Sequence, residues 1–432
     1  MKPRKPKLLS PLILWFMGTM ILANIAGEMV IPLESLYVQE LGASVGQIGV
    51  FFTIAAIGPL LFQLFGGWLS DSIGRLQAIA IGSVGGAASY LFYIFAPSWG
   101  WLLPASILGA MAGAFVAPSY QAFIAEESTE ETRGRVYGIT STMFLVVSII
   151  GPLLGGAVAE GLSFRTMYIV AGSLYATAAI MRILMARYAS RKRRESGQRA
   201  ERPTLGGFQR SLGVVLGLLM AGGVVTWIFV SDGVRDFAFS LIGRLMPLYF
   251  ENEMGLSLIE IGALQSITAV VAMALMSPAG WLSDKKGERV SIVAGFAVIS
   301  IGWSVFLVGK DFWHFVVSRA IVGGGWALLD PAYSSLISKA VPEKVRGLAF
   351  GLFATSLGLI SLPAPWIGAR LWESVSPIFP FYVPLVAMVA MLPVMWIKFK
   401  LPSDAGDDAE DAVQRGAEAV AEVTADVGTG MG

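Results

Sequence analysis

Gly67-Trp68-Leu69-Ser70-Asp71-Ser72-Ile73-Gly74-Arg75 recurs as Gly280-Trp281-Leu282-Ser283-Asp284-Lys285-Lys286-Gly287-Glu288-Arg289, and each copy is wedged between two long apolar stretches. The interval from Asp71 to Asp284 also relates Pro118 to Pro331, Tyr120 to Tyr333, Arg133 to Arg346, Gly134 to Gly347 and Gly138 to Gly351. An interval held through so many pairs marks the chain as a duplication of one unit.

Apolar residues make up 55% of the chain and charged residues only 14%. With a mean hydropathy of +0.68, this is the balance of an integral membrane protein. Apolar runs repeatedly exceed the roughly 20 residues that cross a bilayer as helix, so spans replace soluble domains as the unit of counting. The chain has no cysteine, which excludes disulfides, thiolate metal sites and cysteine nucleophiles. Its single histidine, His314, cannot by itself build a metal cluster or a catalytic dyad. No Gly-x4-Gly-Lys-Ser/Thr phosphate loop appears, which disfavours ATP-driven pumping. No cofactor, no metal, no enzymatic reaction and no nucleic-acid partner are expected.

Apolar runs lie near 9–37, 44–69, 76–96, 99–125, 135–159 and 165–188. A second set, near 224–250, 257–282, 290–309, 312–338, 347–371 and 377–399, repeats the order and the loop motifs. Each run is far longer than a barrel strand, lacks in-out alternation and is rich in the Gly and Ala that let membrane helices approach closely. The expected fold is all-α, with 12 transmembrane helices in two pseudo-symmetric six-helix bundles over residues 1–188 and 224–400. Residues 189–210 read as the linker between them and 211–223 as an apolar lead-in, with a re-entrant segment as the alternative. Residues 401–432 read as an acidic tail, disordered or weakly helical.

Lys and Arg fall almost wholly on one set of loops: Lys2, Arg4, Lys5 and Lys7; Arg75; Arg133 and Arg135; Arg191 through Arg194; Lys285, Lys286 and Arg289; Lys339, Lys344 and Arg346; Lys398 and Lys400. The opposite loops carry little beyond Arg165, Lys310 and Arg370. That bias places both termini and the linker on the cytoplasmic side of the cell membrane. The run from Leu9 is too long for a signal peptide, so no cleavage is expected there.

Gly67, Leu69, Asp71, Gly74 and Arg75 match the signature Gly-x-Leu-x-Asp-x-x-Gly-Arg of the major facilitator superfamily, which this chain resembles from about residue 9 to about residue 400. The second copy matches at Gly280, Leu282, Asp284 and Gly287, with Glu288 where the first has Arg75 and the basic residue one later at Arg289. Gly67 and Gly74 would let a short loop turn tightly, and Asp71 would cap the next helix or face the positive end of a helix in the other half. The resemblance implies a cytoplasmic gate latch. By pseudo-symmetry Asp71 is expected near Arg346 and Gly347, and Asp284 near Arg133 and Gly134.

In the fifth span Gly138, Gly151, Pro152, Gly155 and Gly156 are similar to a Gly/Pro motif of the superfamily's drug-efflux antiporters, with Val147 where that motif has a second Gly. A kinked helix that simply packs closely gives the same pattern, and Ala364, Pro365 and Gly368 repeat it in the eleventh span. In the fourth span Ser106 stands where many proton-driven exporters carry an Arg, and the Arg appears instead at Arg319 in the tenth.

An ionisable side chain inside a span costs about 2.5–3.5 kcal/mol on the lenient insertion scale and so tends to face a wet cavity or a partner. By this criterion the site candidates are Asn24 and Glu28 in the first span, Asp232, Arg235 and Asp236 in the seventh, Arg244 near its outer end, Arg319 and Asp330. Counting from Pro32 and Pro247 puts Glu28 and Arg244 at comparable depth, so Glu28, with no cation nearby on its own helix, reads first as a group that loads and releases protons, with pairing to Arg244 as the alternative. Asp232, Arg235 and Asp236 read equally as a self-neutralising structural cluster. The favoured reading is a secondary transporter working by alternating access, exporting a lipophilic or amphipathic small molecule against protons, with sodium as the alternative coupling ion. The runner-up is proton-coupled import of a small metabolite such as an organic anion or sugar. Substrate, coupling ion and membrane lipids are then the partners of a protein that works as a monomer.

Overall fold

Backbone polar groups in an apolar stretch have only their own chain to bond to, and among the described residues of the computed structural model the chain is helical with no strand. The structure describes residues 11–128, 130–196, 223–340 and 358–399, with backbone alone at 63–72, 130–131, 189–196, 223–225 and 340. The principal helices of the first half are α1 (Pro11–Val30), α2 (Val45–Ile73), α3 (Arg75–Phe95), α4 (Leu102–Glu127), α5 (Glu130–Gly161) and α6 (Phe164–Ser196). Those of the second are α7 (Gly223–Gly243), α8 (Leu258–Lys286), α9 (Glu288–Val308), α10 (Phe312–Ala340), α11 (Ala364–Ser374) and α12 (Tyr382–Lys398). Ten described helices are long and apolar enough to cross a membrane. The ten omit α7, which carries Asp232, Arg235 and Asp236 mid-length, and the eleventh stretch, described only from residue 358. Large apolar side chains such as Trp15, Leu61, Phe95, Trp313 and Val386 stand exposed along these helices, as lipid-facing residues do. Most of the linker, of the lead-in and all of the acidic tail lie outside the described residues.

Two prolines set the helix ends that matter for the site. Pro32 has no N–H to give to the Glu28 carbonyl one turn back, so α1 tightens into the 3-10 turn Ile31–Leu33 before resuming as Glu34–Glu40. Pro247 likewise has none for Gly243, and the single span expected over 224–250 ends as α7 at Gly243. A short helix Met246–Leu248 and a π turn Tyr249–Glu253 follow. Asp232, Arg235 and Asp236 therefore lie on α7 ahead of its end at Gly243.

The chain divides into two compact units, Met1–Pro203 with Arg244–Ala269, and Thr204–Gly243 with Val270–Gly432. In the first, α3 packs on α4 and α6, α2 on α4, and α1 on α5 and α6. Its core joins Phe16 and Met20 of α1 to Ile79 of α3 and Tyr120 and Phe123 of α4. In the second, α9 packs on α10 and α12, and α7 on α10, α11 and α12. The duplication shows in matched contacts: Tyr93 and Tyr168 lie with ring centroids 4.7 Å apart, and their repeat counterparts Phe306 and Phe381 lie 5.1 Å apart.

The turn expected over the repeated motif is one residue long. α2 continues through Gly67 and Asp71 to Ile73, and α8 through Gly280 and Asp284 to Lys286, so neither Gly67 nor Gly280 makes a loop. Gly74 (φ 104°, ψ 151°) and Gly287 (φ 87°, ψ 155°) reverse the chain alone, and neither is helped by a side-chain cap. This backbone region is essentially reserved for glycine. Gly74→Ala and Gly287→Ala are each expected to lose about 1–3 kcal/mol to strain. Thermal unfolding in detergent checks this, and an unshifted melting temperature in both would refute it.

Candidate functional site

Glu28 lies partly buried in the last turn of α1 and accepts a hydrogen bond from Ser148 Oγ of α5 (3.1 Å). Among the described residues no cation pairs with it. The close fit depends on the fifth-span motif: a Cβ at Gly151 would fall onto Glu28, and one at Gly155 onto the Met29 carbonyl. The other face of the same motif meets α8, where a Cβ at Gly156 would strike the Leu258 carbonyl and one at Gly262 the Pro152 carbonyl. Ser266 adds a 2.7 Å bond to the Ile149 carbonyl. Gly138 has open space around it and takes no part. Asn24 turns back on its own helix, donating to the Met20 carbonyl at 2.7 Å.

Arg244 does not meet Glu28. Its Nη1 reaches Glu34 Oε2 at 3.0 Å and the Ile31 carbonyl at 3.4 Å, while its guanidinium lies 4.4 Å from the Phe52 ring centroid. Glu34 also accepts from Tyr93 OH (2.6 Å), which in turn shares a 3.2 Å contact with Ser106. The alternative pairing with Glu28 is not made, because counting from a proline gives height along a helix but not direction around it. Nearby, Asn252 donates to Gln39 at 3.2 Å, and these two, like Arg244 and Ile31, are 213 residues apart, which is the repeat interval itself. Glu251 in the same turn is pushed above the ordinary carboxylate value, first by burial and second by Glu40.

Arg182 of α6 went unnoticed in the sequence and is the most deeply buried charge described, at 1% exposure. It donates to Ser83 Oγ (2.9 Å), Thr19 Oγ1 (3.2 Å) and the Thr19 carbonyl (3.4 Å), and lies 2.9 Å from Met20 Sδ. These neutral acceptors on α1 and α3 hold it without a carboxylate among its hydrogen-bond partners. The available signal was its place inside the sixth apolar run; its nearness to the end of that run made it resemble a snorkelling terminal cation.

In the second unit Arg235 is ion-paired with Asp232 and, at 3.2 Å, with Asp236. Its guanidinium lies 5.4 Å from the Trp326 ring centroid and 5.3 Å from that of Tyr333, both on α10. Asp232 is buried, Asp236 partly exposed, and Asp330 exposed one turn along α10 from Trp326. Arg319 is buried in α10.

At the start of α3, Arg75 Nε contacts Glu126 Oε1 at 3.0 Å. At the start of α9, Glu288 is ion-paired with Lys339 and accepts from Ser335 Oγ at 2.8 Å. Arg289 lies over the Trp396 ring at 4.1 Å, and Arg133 donates to the Ala125 carbonyl at 3.3 Å. Asp284 is exposed at the end of α8. The Asp71 side chain and Arg346 lie outside what the structure describes, so the expected latch contacts of Asp71 do too.

A duplicated set of membrane-length helices, with charges held inside the spans and a one-glycine reversal in each half, defines a multi-pass membrane transporter. The chain belongs to the Major Facilitator Superfamily, whose family model matches residues 16–234 and 228–425. It is 25% identical over 342 residues to a multi-drug resistance efflux pump PmrA homolog of Lactococcus lactis, covering 78% of this chain and 82% of that one. It is 23% identical over 348 residues to the quinolone resistance protein NorA of Staphylococcus aureus, covering 80% and 86%. Among solved structures it resembles a bacterial homologue of the iron transporter ferroportin, with a TM-score of 0.70 at 16% identity over 89% of this chain and 98% of that one. It also resembles a D-xylose-proton symporter, with a TM-score of 0.65 at 15% identity over 90% and 97%. At these identities the structural likeness speaks for the fold alone.

Proposed function

We propose that the protein exports lipophilic or amphipathic small molecules across the cell membrane in exchange for protons, by alternating access, with its basic loops in the cytoplasm. The observation that carries the reading is Glu28, a carboxyl in the last turn of α1 with a serine hydroxyl and no described cation beside it. A carboxyl so placed can take up and release a proton as its surroundings wet and dry. Its packing against Gly151 and Gly155 puts it on the motif that resembles that of drug-efflux antiporters, and the relatives' names point the same way. Asp236, partly exposed beside an arginine that lies against two aromatic rings, is the second candidate for proton or substrate. Import of a small metabolite is the competing reading, supported by Ser106 and its bond to Tyr93 at a position where many proton-driven exporters carry an arginine.

Reconstituted vesicles with imposed pH or sodium gradients, assayed against dyes, drugs and metabolites, test the proposal. Dye movement against its gradient, driven by inward protons, is the expected result. Flux indifferent to both gradients would end the coupled reading, and accumulation of a sugar or organic anion with the proton flow would establish import instead.

A further inference from the structure

Arg75 and Glu288 occupy the same repeat position, the first residue of α3 and of α9, with opposite charge. On the sequence, Glu288 stands where the signature has its arginine, with the basic residue one later at Arg289. The structure gives each a partner at the end of the following helix, Glu126 for Arg75 and Lys339 for Glu288, and these partners too stand one repeat interval apart. The disposition is the same in both halves. The residue that opens the helix is the more buried member (26% exposed for Arg75, 10% for Glu288), and the partner is the exposed one (58% for Glu126, 56% for Lys339).

The polarity carries information as well. A helix presents unbonded N–H groups at its start and unbonded carbonyls at its end, so an acid opening α9 and a lysine closing α10 each sit with the favourable dipole end. Arg75 and Glu126 sit against theirs. A mere shift of the signature arginine by one residue would not have brought an inverted partner with it, nor the Ser335 hydroxyl that also bonds Glu288.

We infer that Glu288 and Lys339 are the positioning pair of the second half, doing in inverted polarity what Arg75 and Glu126 do in the first. They tie the start of α9 to the end of α10, and so fix the Gly287 reversal and the exposed Asp284 beside it. This goes beyond the transport reading, and its first test needs no substrate. Because the chain has no cysteine, Lys286→Cys and Ser334→Cys give a spin-label pair across the joint with no background. In lipid nanodiscs the distance distribution should be narrow in the parent, broad in Lys339→Glu, and narrow again in Glu288→Arg with Lys339→Glu, which restores an ion pair of first-half polarity. Dye transport, once shown for the parent, should fall about fivefold in the single variant and recover most of that in the double. Lys339→Gln, which removes attraction without adding repulsion, should fall between them. A distribution unchanged by Lys339→Glu overturns the inference. So does a double variant that keeps the parent's melting temperature yet remains as broad as the single.

Discussion

Glu28→Gln is expected to abolish accumulation driven by a pH gradient while leaving downhill exchange within about threefold of the parent, because glutamine keeps the shape and the acceptor oxygen but cannot titrate. Ser148 can still donate to the amide oxygen, and no described cation is left stranded, so the melting temperature should hardly move. That combination separates a coupling role from a structural one. A stable variant with normal proton-driven accumulation would remove Glu28 from the coupling path and move attention to Asp232 and Asp236.

Glu34 and Arg244 should behave in the opposite way. Each single change, Glu34→Gln or Arg244→Gln, breaks an ion pair and leaves its partner's charge partly buried, so each is expected to cost about 1 kcal/mol or more of stability. Glu34→Gln should cost the more, since Tyr93 loses a charged acceptor as well. The double variant should fall well short of the sum, with a coupling of about 1 kcal/mol. Melting temperatures of the two singles and the double measure it, and simple additivity would show that the 3.0 Å contact contributes nothing.

How much of this could be read in advance depended on what kind of information each residue carried. The repeat interval and the composition were enough for the class of fold, since both survive any uncertainty about where a helix begins. Gly74 was identifiable as a turn maker from its place in the repeated motif, though Gly67 was read the same way and is helical, and Gly287 repeats Gly74 one interval on. Partners were another matter. Glu28 and Glu34 differ by six residues, about 9 Å of rise and well over a full turn, and the 3-10 turn between them redirects the chain. Which of them Arg244 meets is decided by that turn, and no count from Pro32 contains it. Arg182 was hidden differently, because distance from the end of an apolar run cannot tell a cation lifted to the surface from one held on neutral hydroxyls. Lys339 lies fifty-one residues from Glu288 and gains meaning only once α9 and α10 are side by side.

The single-residue joints have a mechanical consequence. One residue reaches at most about 3.5 Å, whereas a slide of one helical turn is about 5.4 Å. α2 therefore cannot telescope past α3, nor α8 past α9, because the joint has no slack to pay out. Each joint fixes how far one helix can slide along the other while leaving the angle between them free. Any stroke that draws Asp284 along the axis of α8 must therefore carry Glu288 with it.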